Sequence, residues 1–147
     1  SGWAWDVLEI AFFSGSQSVK PLRYIESGNA GPGYNARDAN GSGGMWGGRM
    51  DQNKKFYIGG EFAPGTVINR VVIREGEGKH RAGAPRMRLE KATRGKGVWR
   101  TVAGEFIAQE NENTYCFAFS DANDTKAILN PSALSAPSIP AVSAVSA

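Results

Sequence analysis

Apolar and polar residues alternate in short runs separated by glycine-rich stretches, and no segment repeats its apolar positions at the 3.6-residue period of a helix. Residues 5–13 (WDVLEIAFF) predict a strand with Leu8, Ile10 and Phe12 on one face. Residues 56–62 and 67–74 predict two more, joined as a hairpin by Ala63-Pro64-Gly65-Thr66, where Pro before Gly suits a type II turn. Residues 86–90 (RMRLE) alternate without a fault, which sends Met87 and Leu89 inward and the charges outward. A strand over 99–102 comes after the turn at 94–97, and Tyr115, Phe117 and Phe119 line one face of a closing strand. Six or seven short strands with glycine-rich turns predict an all-β, antiparallel fold, a sandwich or a barrel.

Between Val19 and Asp51 glycine is too dense for a helix or a central strand, so this part reads as a long structured loop. Loops of that length in a compact domain are commonly functional or disordered, which makes it the first place to look for a binding surface. Residues 130–147 (NPSALSAPSIPAVSAVSA) lack charged and aromatic groups. Such a segment cannot offset its ordering entropy with its own apolar area, so it predicts an extended C-terminal tail that leans on its own domain or on a neighbouring chain. The expected organisation is one domain over 1–129 with this tail behind it.

Composition narrows the class. Apolar residues make up 41% and charged residues 21% of the 147, the profile of a globular chain rather than a disordered one. A single cysteine, Cys116, excludes an intramolecular disulfide and any multi-cysteine metal site. No apolar run is long enough for a transmembrane helix, because Glu9 breaks the most apolar stretch, so the chain is expected to be soluble or peripheral. It begins at Ser1 rather than Met, which implies removal of an upstream segment and of any targeting signal in it. The net charge is +3, and the cations concentrate between Lys79 and Arg100, where Glu90 is the one acid; this is either a solvated strand-and-turn face or an anion-attracting one. Aromatic residues are not interleaved with these cations, which argues against nucleic acid as a partner.

Residues able to do chemistry are few. His80, the sole histidine, sits in a glycine- and lysine-rich turn, and Cys116 lies mid-strand where a free thiol acts as a small buried hydrophobe. Nothing local pairs them as nucleophile and base, so a non-enzymatic role is expected. Asp38, Asn40 and Ser42 place oxygen ligands at alternate positions like the first half of a calcium loop, but Arg49 stands where the bidentate Glu belongs. An oxygen-cage calcium site using Asp38 and Asn40, with Asp51 as a further ligand, and a metal-free Asx-rich turn both account for these residues. The glycine run 41–48 lacks the spacing of a nucleotide-phosphate cradle. Asn40-Gly41-Ser42 and Asn123-Asp124-Thr125 are glycosylation sequons, meaningful on a secretory route. Trp5 and Trp99 read as core, whereas Trp46, flanked by Gly44, Gly47 and Gly48, reads as an aromatic that a ligand could reach.

In this order the motifs resemble the discoidin, or coagulation-factor C-type, domain of the galactose-binding-like β-sandwich group. LEIAFF at 8–13 resembles its opening strand, and ARDANG at 36–41 running to Trp46 resembles its Ala-x-Asp-Gly loop. FYIGGEF at 56–62 with VINRVVI at 67–73 resembles its central hairpin, and RMRLE at 86–90 leading to GVWRTV at 97–102 resembles the strand and turn that come after that hairpin. The resemblance implies a jelly-roll, galactose-binding-domain-like β-sandwich that binds glycans, lipid head groups or proteins through loops at one end. On this chain it implies a surface around Tyr34, Trp46, Arg49, His80 and Arg81. The expected function is a docking module that joins protein partners in a larger assembly such as a virion or an organellar membrane complex. The alternative is a glycan-binding module, with Trp46 as stacking platform and Arg49, His80 and Arg81 as hydrogen-bond donors.

Overall fold

The computed structural model describes residues 4–76, 87–92, 99–101, 105–111, 113–118 and 126–130. The tail at 131–147, the turn at 94–97, the sequon at 123–125, Val102 and Phe119 lie outside the described residues. The regular structure of the described chain is strands with almost no helix, paired antiparallel in two sheets. Among the described residues no helix is long and apolar enough to cross a membrane.

The first sheet is built on β1 (Trp5–Ser14), with β2 (Gln17–Val19) and β4 (Trp46–Gly48) on one side and β6 (Arg70–Glu75), β10 (Thr114–Ala118) and β9 (Glu105–Asn111) on the other. The second runs β3 (Arg23–Glu26), β5 (Ile58–Glu61), β11 (Lys126–Asn130), β7 (Arg88–Ala92), β8 (Trp99–Thr101). The outer edge of β1 is covered in three pieces. β4 pairs with Trp5, Asp6 and Val7, the Ile10 N–H donates to the Ala39 carbonyl at 2.9 Å, and β2 pairs with Phe12, Phe13 and Ser14. The register of β1 on β6 shifts between Val7 and Glu9, which inserts Leu8 as an extra residue. That bulge corrects the expected face: Trp5, Val7, Ile10 and Phe12 are buried together, and Leu8 is only half-buried.

Two further expectations change. Residues 56–62 and 67–74 do contain strands and a turn at Pro64-Gly65, closed by the Thr66 N–H on the Ala63 carbonyl with Gly65 at φ +85°. They do not form a hairpin, because β5 pairs with β3 and β11 while β6 pairs with β1 and β10, so this turn carries the chain from one sheet to the other. The expected long loop over 19–51 contains two strands, β3 and β4, and a short 3-10 turn at Ala36–Asp38. Glycine is admissible in β4 because this is a side strand pressed against other groups. A Cβ on Gly48 would stand 2.5 Å from the Trp46 ring and 2.6 Å from the Trp5 carbonyl oxygen.

Both sheets feed one buried cluster. Val7, Ile10, Phe12, Val71, Ile73 and Phe117 come from the first, and Ile58 and Leu89 from the second, with Phe62 just after β5. Phe12 and Phe62 meet edge to face, ring centres 4.9 Å apart. Met87 and Leu89 point inward as the alternation of 86–90 predicts. Cys116 is buried, the role expected of a free thiol in mid-strand.

Candidate functional site

The glycine-rich segment is held by side chains that act as cross-links. Glu26, at the end of β3, accepts from Asn29 Nδ2 at 2.5 Å through one oxygen and from the Ala36 N–H at 2.6 Å through the other. Asn29 also donates to Asn35 Oδ1 and accepts from the Gly31 N–H. The Gly28 carbonyl receives both Trp46 Nε1 and the Arg49 N–H at 3.0 Å, and the Ser27 hydroxyl bridges the Arg49 carbonyl and the Tyr57 N–H. With so many backbone groups satisfied, the segment forms a fixed surface rather than a loose loop.

The residues that sequence reasoning grouped differ in their surroundings. Trp46 is fully buried, meets Trp5 edge to face at 5.5 Å and spends its N–H on Gly28. Its expected role as an exposed stacking platform is therefore corrected: the glycines around it let neighbouring backbone close over the ring instead of leaving it open. Tyr34 is 44% exposed, and its carbonyl accepts the Gly47 N–H, which fixes it beside β4. Arg49 is exposed one residue beyond β4, where its Nη1 folds back onto the Gly48 carbonyl at 2.9 Å. Asp38 caps the 3-10 turn by accepting the Asn35 N–H, and Asn40 Oδ1 accepts the N–H and hydroxyl of Ser42. These are the bonds of an Asx-rich turn. Asp51 closes a separate turn, accepting the N–H groups of Asn53 and Lys55. Among the described residues no three His, Cys, Asp or Glu side chains are grouped to hold a metal ion. His80 and Arg81 lie outside the described residues.

Sequence reasoning missed an open cleft of about 600 Å³ beside β3, lined by residues 21–24 with Glu26, Asn35 and Arg37. β3 pairs with β5 along one edge and with no other strand among the described residues. Leu22 and Tyr34 are the large hydrophobic side chains left exposed among the described residues, Leu22 at 63%. Arg23 is tied to Glu61 by Nε at 2.9 Å and Nη2 at 2.8 Å, whereas no described carboxylate pairs with the exposed Arg37. The signal for this edge was the short run LRYIE at 22–26 after Pro21, too brief to show a clear period.

No protein-family model, curated protein or solved structure matches this chain. Nothing in these comparisons identifies a discoidin-type domain.

Tyr24, Tyr57 and Tyr115 have phenol pKa values raised above 10.0, in each case chiefly by burial. Tyr57 is further raised by Asp51 and Glu26, and Tyr115 by the charge of Glu75 and a hydrogen bond to it. A phenol whose folded pKa is raised gives stability that is whole below the unfolded value of 10.0 and is lost as pH rises through the folded value. Unfolding midpoints should accordingly fall above pH 10.0, and Tyr115→Phe should shrink that fall. Equal alkaline slopes for the two proteins in urea titrations would contradict it.

Proposed function

We propose that this chain is a non-catalytic recognition module, a β-sandwich of the galactose-binding-like kind, that docks to protein partners in a larger assembly. The observation that carries the reading is the exposed Leu22 at an open cleft beside a β3 edge that meets no strand among the described residues, with Tyr34 exposed further along the same glycine-rich segment. Protein-binding patches are recognised by exposed aromatic and aliphatic anchors on a rigid frame, and the bonds through Glu26, Asn29 and Gly28 supply the frame. The two sheets then act as a scaffold, with Phe12 and Phe62 locking one to the other.

The test is site-specific photo-crosslinking of the full chain in an extract of its source. A benzoylphenylalanine at position 22 or 34 should yield one defined protein adduct, and the same group at the exposed Ser16 should yield none. Leu22→Asp should reduce the adduct formed from position 34 at least about tenfold, the effect of losing a buried interface anchor. Adducts of equal yield from positions 16, 22 and 34, or an adduct consisting of glycan, would overturn the proposal.

A further inference from the structure

The geometry points to an occupant for the β3 cleft: an extended, acidic peptide segment of a partner, added as a strand to the free edge of β3 with a carboxylate side chain on Arg37. This inference rests on the docking reading above and names the chemistry of the partner. Three observations support it.

First, β3 offers four residues, about 13 Å at roughly 3.3 Å per residue, whose second edge meets no strand among the described residues. An unpaired edge presents backbone donors and acceptors that an extended peptide can satisfy, which is the basis of recognition by strand addition. Second, the charges around the cleft are unequal in availability. Both oxygens of Glu26 are taken by Asn29 and the Ala36 N–H, and Glu61 is taken by Arg23. Arg37 therefore remains as an exposed cation facing the cleft without a carboxylate among the described residues, and Lys20 is exposed just before Pro21. Glu26 keeps its charge but has no oxygen left to receive Arg37, and the exposed planar guanidinium favours a carboxylate brought by a partner. Third, Leu22 is exposed at the cleft and Tyr24 is partly buried along it, so an apolar side chain next to the acid would find contacts. A strand alternating acidic and apolar residues meets the three demands together.

The probe is a fluorescein-labelled, end-capped hexapeptide alternating valine and glutamate, read by fluorescence anisotropy against the full chain. It should bind saturably, and replacing its glutamates with lysines should weaken binding at least about tenfold, as expected for reversing a charge opposite an interface cation. N-methylating alternate amides should weaken it similarly, since strand pairing needs those N–H groups. Arg37→Glu should invert the preference between the two peptides, and Arg37→Lys should retain it. Because the Arg37 side chain is exposed, the unfolding midpoint should be unchanged and serves as the folding control. Equal binding of both charge versions, indifference to N-methylation, or an unchanged preference in Arg37→Glu would overturn the inference. So would complete displacement by a sulfated oligosaccharide or an oligonucleotide together with indifference to N-methylation, which assigns the cleft to polyanions. If the crosslinks at 22 and 34 persist while the peptides fail, the docking surface stands and only its occupant is wrong.

Discussion

Trp46→Ala is expected to cost about 3–5 kcal/mol of unfolding free energy, the range for truncating a large aromatic inside a packed core. The ring is fully buried, lies edge-on to Trp5, and gives its N–H to the Gly28 carbonyl that also receives the Arg49 N–H. Truncation would leave a cavity behind β4 and one fewer bond on the segment that carries Tyr34 and Arg49. Trp46→Phe should fill most of the volume and cost less. Urea unfolding followed by tryptophan fluorescence measures both. A loss within about 0.5 kcal/mol, as for an ordinary surface substitution, would mean that the ring is not a core element and would reopen its role as a ligand platform.

Phe62→Ala is expected to have an effect of similar size, about 3–5 kcal/mol, for a different reason. Phe62 lies just after β5 of the second sheet and meets Phe12 of the first at 4.9 Å, so its loss loosens the junction between the sheets rather than one corner of a loop. In a double-mutant cycle with Phe12→Ala the two losses should fall short of additivity by about 0.5–1.5 kcal/mol, the range for a touching aromatic pair. Strict additivity would contradict the contact and with it the shared core.

The strands that carry most of the core were legible in the sequence because each buries large apolar residues at a recognisable spacing. Met87 and Leu89 alternate with charges, and Val71 and Ile73 sit two apart. What could not be read was pairing. A Pro-Gly turn has the same local chemistry whether it joins neighbours in one sheet or passes between two, so Pro64-Gly65 suggested a hairpin where the chain changes sheets. The bulge at Leu8 is equally silent, since it depends on the register that β6 imposes. Trp46 misled for a related reason: flanking glycines mean close approach, and the sequence does not say whether the approaching group is a ligand or the chain itself. Here it is the chain, with the Trp5 carbonyl and the Trp46 ring both crowding Gly48. At the candidate site Tyr34, named only through the family resemblance, is exposed; Leu22 was missed because it precedes an edge strand of four residues, too short to show a period, and Arg37 because it sits in a short 3-10 turn that no apolar pattern marks.

Hydrogen–deuterium exchange on the free chain and on the chain within its native assembly examines the docking claim where it is most exposed. Slowed exchange in the assembly is expected at the amides of residues 22–26 and 31–37, with little change at the turn of residues 51–55. Unaltered exchange along β3 and the Tyr34 segment, with protection appearing only on other strands, would contradict it.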